Sequence, residues 1–378
     1  QVSRRQFLGK LATSTAGVFI VPQIVPSSAL GLDGVEAPSD RITLGIIGTG
    51  DHGVNRNIVR FLPEPDAHIV AVCDVDRSRR LGAKKMIEER YSEKFSQGTY
   101  QGCDDYNDFR DLIARDDIDA VMIATPDHWH VIPAVMAARA GKDVMCEKPL
   151  SLTVEEGRVL SDTIEKHKRI FQTASENRSD ENYHCMIELV RNGRIGKLQT
   201  IYVDLPSGHS FQEASFAPCP VPDGFDYDLW LGQAPQAPYC PARCHWNFRW
   251  ILDYSGGMLT DWGAHMIDLA QWGNDTEYTG PVTVEGKGEF PCEGLYNTAT
   301  QFQIEYTYAN GVKMIVRSRT PALRFEGSEG WIANDGWRAP LQASDPAILA
   351  GEIGENETHL YTCKEGEQRN FLDCVKSR

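Results

Sequence analysis

A short apolar strand followed by three glycines constrains the fold of this chain more than any other segment. Residues 42–47 form a continuous apolar run, which is typical of a strand buried on both faces of a parallel sheet. The pattern Gly48-x-Gly50-x-x-Gly53 follows at once, and a helical stretch extends to about Phe61. A second strand at 68–73 then delivers Asp74 about twenty residues beyond the last glycine. This order predicts the first βαβ unit of a dinucleotide-binding Rossmann domain.

Each glycine of this loop has a separate physical role in that prediction. Gly48 permits the tight turn, Gly50 lets the backbone approach a pyrophosphate, and Gly53 lets the helix pack closely on the strand. The helix N-terminus attracts the anionic diphosphate. Asp74 can accept hydrogen bonds from ribose hydroxyls and would repel a 2′-phosphate, which favours NAD over NADP. Three arginines past the second strand can bind that phosphate and keep NADP open as the less favoured alternative: Arg77, Arg79 and Arg80.

Alternating strand and helix patterns continue along the first half of the chain. Further buried strands are predicted at 120–124 and 143–146, and helices at 77–91 and 131–140, the last ending at Gly141. This alternation predicts an α/β fold with a doubly wound parallel sheet over residues 41–177.

Beyond about Asn177 the pattern changes to strands with period-two alternation, at 198–205, 300–308 and 312–317. Such strands predict a mixed or antiparallel sheet with one covered and one more open face, in a C-terminal domain over 178–378. The Pro-rich, aromatic segment 211–241 is expected to be a long ordered excursion over that second sheet.

The first thirty residues resemble a targeting segment. Arg4 and Arg5 form a twin-arginine pattern, a weakly apolar run follows at 11–25, and small residues stand at 27–29. The alternative, a buried N-terminal helix, is interrupted by Pro22 and Pro26. We therefore expect a signal over 1–29, a linker over 30–40, and export to the periplasm. The apolar run is too short for a stable membrane span.

The charge of the chain limits its partners. The formal net charge is −15, so a polyphosphate backbone would be repelled and nucleic acid is not expected as a partner. A small polar ligand is expected instead.

Three of the ten cysteines stand in or beside the Pro-rich segment: Cys219, Cys240 and Cys244. His245 directly follows the last of them. Free loop thiols, a disulfide and a zinc site all stay open for them, with free thiols favoured. No metal ligand is assigned.

Two further motifs carry a family resemblance. Thr125-Pro126-Asp127-x-x-His130 follows the 120–124 strand, and Glu147-Lys148-Pro149 follows the next strand. Together with the segments 246–249 and 256–265, they resemble the glucose-fructose oxidoreductase and inositol dehydrogenase family, called Gfo/Idh/MocA. The resemblance runs from about residue 41 to the end of the chain.

The resemblance implies a C-terminal α/β domain with a large open sheet and a homodimer or homotetramer formed across it. It also implies nicotinamide-dependent oxidation of a sugar or polyol. Family members usually continue past the position of Arg378, so a last segment of the second domain is expected to be missing from this sequence. Cofactor contacts are implied for residues on the two motifs: Thr125, Pro126, Asp127, His130 and Glu147.

The same resemblance places Lys148 at the family's active-site lysine, and Asp261 and His265 at its Asp-x-x-x-His pair. The chemistry asks for these groups, because alcohol oxidation needs a base for the hydroxyl proton and a cation near the oxygen. Asp261 and His265 are four residues apart, so on one helix the carboxylate would orient the imidazole. Five further residues are candidates for contacts with a sugar: Arg178, Tyr202, Trp246, Arg249 and Tyr254.

Export changes the expected reaction, because an envelope compartment offers no ready pool of free NAD. A cofactor loaded in the cytoplasm would have to stay bound and be regenerated in the same site. A ping-pong reaction between two sugars and a redox-neutral glycosidase or epimerase cycle are therefore alternatives to net dehydrogenation. A non-catalytic sugar-binding protein is a further alternative.

Overall fold

The structure is a computed structural model that describes residues 37–94, 102–209 and 216–378. It divides into two units, Gln1–Arg41 and Ile42–Arg378. In the first unit the described residues include a 3₁₀ turn, Pro38–Asp40, closed by the Asp40 amide, which donates to the Ala37 carbonyl at 2.9 Å. The predicted signal over 1–29 and most of the predicted linker lie outside the described residues. Every element below belongs to the second unit.

Six parallel strands among the described residues form the first sheet, in the order β3-β2-β1-β4-β5-β6. Their bounds are β1 Ile42–Ile47, β2 Ala67–Cys73, β3 Asp104–Tyr106, β4 Ala120–Ile123, β5 Asp143–Cys146 and β6 Phe171–Thr173. The strand order reverses at β1, as in doubly wound folds, and ligands of such sheets bind beyond the carboxyl ends of the strands at that point. The predicted Rossmann sheet is therefore confirmed.

Five helices connect these strands: α1 Val59–Phe61, α2 Arg77–Lys94, α3 Phe109–Ile113, α4 Val131–Arg139 and α5 Val154–His167. The helix after the glycine loop begins as a π-helical turn, Gly53–Ile58, and continues directly into α1. Helix α4 ends as predicted beside Gly141, whose φ of 84° suits glycine. A capping box of Thr153 and Glu156 begins α5.

Helices cover both faces of the first sheet, which explains its continuous apolar strands. Every residue of β4 and β5 is buried, and two separate apolar clusters fill the spaces on the two sides of the sheet.

The second sheet has seven strands within the described residues, in the order β13-β12-β11-β7-β10-β9-β8. Its strands are β7 Leu198–Leu205, β8 Thr283–Glu289, β9 Gln301–Thr307, β10 Lys313–Ser318, β11 Ala322–Gly327, β12 Trp331–Asn334 and β13 Leu341–Ala343. Strands β7 and β10 are parallel and the other neighbours are antiparallel, so the sheet is mixed. Along β7, Ile201, Val203 and Leu205 are buried and alternate with more exposed residues, as the sequence predicts.

The helices of the second half are α6 Glu181–Arg191, α7 Tyr227–Leu231, α8 Met258–Asp261, α9 Gly263–Gly273, α10 Pro346–Ala350 and α11 Glu367–Ser377. Helix α9 packs between α6 and β7, so it covers one face of the mixed sheet. None of the described helices is both long and apolar enough to cross a membrane.

The last helix departs from the predicted assignment of 178–378 to the second domain. Phe371, Leu372 and Val375 on α11 pack into the apolar cluster of the first sheet. Arg369 on the same helix pairs with Asp66 at 2.7 Å, just before β2. The apolar stripe of this helix is therefore buried by the Rossmann core and not by the mixed sheet.

We predict that Phe371→Ala lowers the free energy of unfolding by about 3–5 kcal/mol, because the ring is fully buried and leaves a cavity. Urea unfolding followed by circular dichroism measures the change. Val154→Ala removes an exposed apolar side chain and is the control, with a change below about 0.5 kcal/mol. Equal effects of the two substitutions would contradict the assignment of α11 to the first core.

Candidate active site

The glycine loop after β1 lies against the carboxyl end of β4. Gly48 has φ 94°, and a Cβ atom built there would lie 2.5 Å from the carbonyl oxygen of Ala124. A Cβ at Gly53 would overlap the carbonyl oxygen of Gly48. At Gly50 the nearest obstacle is the end of the Arg79 side chain at 3.3 Å. Gly48 and Gly53 are therefore required by packing within the protein, whereas Gly50 leaves space above the loop.

Asp74 holds this loop from the end of β2. Its Oδ2 accepts hydrogen bonds from the Thr49 amide at 2.7 Å and the Thr49 hydroxyl at 3.1 Å, and its Oδ1 accepts from the Asp76 amide at 2.8 Å. Burial raises the pKa of Asp74 above its usual range, although these donors oppose the shift. The carboxylate therefore fixes the loop as well as facing the space beside it.

A cavity of about 450 Å³ extends from this loop along the carboxyl edge of the sheet. Residues of the glycine loop and of the two predicted motifs line it together, although the loop and the motifs are tens of residues apart in the sequence. The predicted site residues that line it are Gly48, Gly50, Asp74, Thr125, Pro126, Asp127, His130, Glu147 and Lys148.

His130 joins the two motifs through its ring. Its Nδ1 lies 2.7 Å from the Pro149 carbonyl and its Nε2 lies 2.8 Å from the Thr125 carbonyl. Both ring nitrogens therefore contact the protein, and the ring itself lines the cavity. The peptide bond between Lys148 and Pro149 is cis.

Glu147 is a buried carboxylate at the end of β5. It accepts a hydrogen bond from Asn57 Nδ2 at 2.9 Å and lies 3.1 Å from His52 Nε2, a residue of the glycine loop. Burial alone would raise the pKa of Glu147, but His52, Asn57 and Lys148 lower it to about 2. The motif is thereby fastened to the glycine loop after β1, although β4 lies between β1 and β5 in the sheet.

Lys148 forms a buried ion pair with Asp261 of α8. Its Nζ lies 2.8 Å from Asp261 Oδ1 and donates to the Asp261 carbonyl at 3.1 Å, while Arg249 Nε lies 3.3 Å from the same Oδ1. Burial opposes ionisation of Asp261, yet Lys148 and Arg249 lower its pKa to about 2. Two of the three N–H directions of Lys148 are therefore used by the protein, and one remains for a ligand.

The expected hydrogen bond between Asp261 and His265 is absent among the described residues. Asp261 ends α8 and His265 lies on α9, so the two do not share one continuous helix face, and the carboxylate turns toward Lys148. The nearest carboxylate oxygen to His265 Nε2 is Glu176 Oε1, at 4.0 Å. Burial and the charge of Lys148 lower the pKa of His265 to about 3, so the imidazole is neutral at neutral pH.

Sequence reasoning missed Glu176. It follows the last strand of the first sheet, at the same carboxyl edge as Lys148, and that position is the signal that identifies it. Lys148 lines the cavity, whereas Asp261, His265 and Glu176 stand outside its lining in the described part of the chain. Lys148 therefore connects the cavity with the cluster behind it, and Arg249, which also lines the cavity, contacts the same Asp261.

Comparison with known proteins identifies the family. One family model, described as "Oxidoreductase family, NAD-binding Rossmann fold", matches residues 42–175, and a second, "Oxidoreductase family, C-terminal alpha/beta domain", matches residues 182–340. Both are models of GFO_IDH_MocA, and together they cover most of the chain. The chain belongs to the Gfo/Idh/MocA oxidoreductase family.

Relatives and solved structures of this family are similar to the chain to different degrees. "Glycosyl hydrolase family 109 protein 2" of Shewanella sp. (strain ANA-3) is 32% identical over 194 residues, which is 50% of this chain and 40% of that protein. The chain thus aligns with less than half the length of this curated relative.

Two solved structures share the fold. The WlbA dehydrogenase of Bordetella pertussis in complex with NADH and UDP-GlcNAcA has a TM-score of 0.64 at 17% identity, covering 89% of each chain. Levoglucosan dehydrogenase in complex with NADH and L-sorbose has a TM-score of 0.59 at 20% identity, covering 82% of this chain and 78% of that one.

The aromatic excursion of this Gfo/Idh/MocA chain runs to the first sheet and not only over the second, which corrects the expectation for 211–241. We call residues 224–230 the strap. The Arg77 amide donates to the Gly224 carbonyl at 2.9 Å, the Asp226 amide donates to the Val75 carbonyl at 2.9 Å, and Asn107 Nδ2 donates to Asp226 Oδ2 at 2.7 Å. The strap is fixed to the turn just beyond Asp74 because these backbone groups pair like a short strand.

The strap and the segment after the cysteines also line the cavity of this family member. Their contribution is mostly aromatic: Phe225, Leu229, Trp230, His245, Trp246, Phe248 and Arg249. Three arginines are candidates for binding the 2′-phosphate of NADP, and of these Arg79 is the one among the described residues that lines the cavity. Arg80 instead pairs with Asp105 at 2.9 Å.

The five candidates for sugar contacts separate into two groups. Trp246 and Arg249 line the cavity. Arg178 pairs with Asp268 and Glu277, Tyr202 lies on the mixed sheet under Arg317, and Tyr254 is buried and bonded to Arg243. The first two are therefore the candidates that the geometry retains.

The cysteines near the strap have free thiols in the structure. Cys240 and Cys244 are buried, Cys219 is exposed, and burial raises the pKa of Cys244 well above its usual value. Within the described ranges, no group of three or more His, Cys, Asp or Glu side chains is arranged to hold a metal ion.

The raised pKa of buried Asp127 predicts that the stability of the protein depends on pH. Its Oδ2 accepts a hydrogen bond from Ser255 Oγ at 2.5 Å, and burial raises its pKa to about 6. The folded state therefore binds a proton more tightly than the unfolded state, so the wild-type protein loses stability as the pH rises through about 6. Asp127→Asn removes the buried charge and should stabilise the protein by about 1–3 kcal/mol more at pH 8 than at pH 4.

Urea unfolding at the two pH values measures this difference. Asp228→Asn, at an exposed position on α7, is the control and should change stability equally at both. A stabilisation by Asp127→Asn that is independent of pH would contradict the raised pKa.

Proposed function

We propose that this chain is a nicotinamide-dependent oxidoreductase that oxidises a CH–OH group of a sugar, polyol or glycoside, with NAD favoured over NADP. One observation carries the proposal. The glycine loop, Asp74 and Lys148 line the same cavity, at the edge of the sheet where its strand order reverses.

The residues present fit a dinucleotide. Gly50 leaves open space above a loop that Gly48 and Gly53 hold against the sheet, so backbone amides there can approach a diphosphate. Asp74 faces the same cavity with a carboxylate, which suits ribose hydroxyls. Arg79 already lies 3.3 Å from Asp51 and 3.8 Å from Asp76, so its charge is partly neutralised by the protein. These features support NAD as the cofactor.

A bound nicotinamide supplies the hydride acceptor, and the side chains of this chain supply the rest. Lys148, held by Asp261, donates its remaining N–H to the substrate oxygen and stabilises negative charge that develops there. Neutral His265 stands behind Lys148, outside the cavity lining, and is the proposed acceptor of the hydroxyl proton, since its pKa of about 3 leaves the imidazole unprotonated at neutral pH. Glu176 stabilises the imidazolium that results.

The cofactor is proposed to stay bound between turnovers. The strap reaches from the second half of the chain to the turn beyond Asp74, and it lines the cavity on the side of that turn. If a dinucleotide binds in this cavity, the strap would contact it and would slow its release. Retention of this kind agrees with the export that the twin-arginine pattern predicts.

A second candidate function is cleavage or epimerisation of a sugar without net oxidation. The name of the Shewanella relative, a glycosyl hydrolase of family 109, favours it, and so does a cofactor that cannot exchange freely. Release of a free sugar from a glycoside, with no lasting reduction of the cofactor, distinguishes this reaction from net oxidation.

Localisation and assembly belong to the same proposal. We propose export through the twin-arginine pattern at residues 4–5 and assembly as a homodimer or homotetramer across the mixed sheet. The solved neighbours with bound NADH and sugar ligands support a small-molecule substrate.

The direct test is to purify the full chain, dialyse it extensively, and add a panel of mono- and disaccharides without external cofactor. Retained nicotinamide, detected by mass spectrometry, and its reduction by a sugar, detected by absorbance, are expected. Retained cofactor with glycoside cleavage and no net reduction supports the second candidate. Retained cofactor that no sugar alters indicates a non-catalytic sugar-binding protein and contradicts both enzyme proposals.

Lys148→Met should keep the cofactor but slow its reduction by sugar by a factor of about 100 to 1,000, because the cation at the substrate oxygen is lost. Stopped-flow absorbance measures the rate. Lys313→Met removes an exposed lysine on β10 and should leave the rate unchanged. A Lys148→Met protein that reduces its cofactor at the wild-type rate would remove Lys148 from the mechanism.

Asp226→Ala should release the cofactor about tenfold faster, because it removes the side-chain bond from Asn107 and the cap on the Leu229 amide. Exchange of bound cofactor for isotopically labelled NAD measures the rate. Asp228→Ala on the same helix, whose carboxylate accepts from Gln236, is the matched control. Equal release from both variants would show that the strap does not retain the cofactor.

A further inference from the structure

An exposed tryptophan stands at the cavity that holds the proposed reaction. Trp246 lies on the 3₁₀ turn His245–Trp250, its side chain is 55% exposed, and it lines the same cavity as Lys148. Most large aromatic side chains of this half of the chain are buried in its core. An indole left open at a binding cavity is the kind of apolar surface that a ligand covers.

The indole is held in place from one side. The guanidinium of Arg249 lies over its ring, 4.4 Å from the centroid, and Arg249 Nη1 donates to the Trp246 carbonyl at 3.2 Å. Arg249 also contacts Asp261, the partner of Lys148. The cation therefore covers one face of the ring and fixes its orientation, while the exposed surface of the ring stays available to a ligand without much further ordering.

We propose that Trp246 is a stacking platform for a second pyranose ring, joined by a glycosidic bond to the sugar that reacts at Lys148. The proposal rests on the proposed function and names its substrate class as a glycoside or oligosaccharide. The C–H face of a pyranose is apolar and slightly positive, and it complements the negative face of an indole.

The position of the ring indicates a second sugar and not the reacting one. Arg249 lies over the indole and contacts Asp261, and Asp261 pairs with Lys148, so the indole is linked to the ammonium through two side chains. A ring stacked on Trp246 would lie in the same cavity as the ring whose oxygen contacts Lys148, and Arg249 marks the side of the indole that faces Asp261. Binding energy gained at such a remote ring orients the reacting ring.

The test compares monosaccharides with disaccharides that contain them, on the full chain with its bound cofactor. The probes are glucose with maltose and cellobiose, and N-acetylglucosamine with chitobiose. Calorimetry and saturation-transfer NMR measure Kd whether or not a probe reacts, and cofactor absorbance measures KM for those that do. Trp246→Ala, Trp246→Phe and the control Tyr278→Ala, at a fully exposed tyrosine, are compared with wild type.

We expect wild type to bind at least one disaccharide more tightly than its monosaccharide, and Trp246→Ala to reduce that preference about tenfold. Trp246→Phe should restore most of it, and Tyr278→Ala should leave it unchanged. Disaccharides that bind no more tightly than monosaccharides in wild type, or equal weakening of both by Trp246→Ala, would overturn the platform. If no sugar reduces or is altered by the bound cofactor, the proposed function fails while the Kd comparison still decides the platform.

Discussion

The buried ion pair between Lys148 and Asp261 is the contact on which the candidate active site depends. Lys148 follows β5 of the Rossmann sheet, and Asp261 ends α8 in the second half of the chain, so the pair joins the two halves at the reacting centre. Two charges that are each about one-tenth exposed are stable only when they are paired and hydrogen-bonded. Arg249 completes that pairing and connects it to Trp246.

Burial has opposite consequences for the ionisable groups around this pair. Burial and the nearby Lys148 cation keep His265 neutral, with a pKa of about 3. Glu147 and Asp261 stay ionised despite their burial, with pKa values of about 2, because His52, Asn57 and Lys148 stabilise the first and Lys148 and Arg249 the second. Asp127, which lacks a cation in direct contact, has a pKa raised to about 6. A neutral base beside a fixed cation is the combination that alcohol oxidation requires, and it follows from which carboxylates the cations contact.

The second half of the chain also lines the cavity beside the glycine loop, through Phe225, Leu229 and Trp230 of the strap. The strap is held to the first half by two backbone hydrogen bonds and one between side chains. The glycine loop and the strap, which come from different halves of the chain, therefore line one cavity. Such an arrangement suits an enzyme whose cofactor stays in place while substrates exchange.

Regular periodicity explains which parts the sequence alone predicts. The buried strands, the glycine loop, the alternation along β7 and the place of Lys148 follow from local patterns, because each depends on a few neighbouring residues. The strap does not, since a Pro-rich aromatic segment has no period that indicates where it lies. The predicted contact between Asp261 and His265 is absent among the described residues, because a spacing of four residues implies contact only within one helix, and Trp262 separates α8 from α9. The position of Glu176 after β6 is a local signal, but its contact with His265 and the return of α11 to the first core are long-range contacts that no local pattern predicts.

Transfer of deuterium from a C-deuterated sugar to the retained cofactor tests the central claim most directly. The full chain is dialysed, incubated with the deuterated form of a sugar that alters its cofactor, and quenched. The mass of the extracted nicotinamide cofactor is then measured by mass spectrometry. One deuterium is expected on the reduced cofactor of the wild-type protein, and little or none with Lys148→Met. A cofactor that is reduced without gaining deuterium, or a protein that retains no nicotinamide, would contradict the claim.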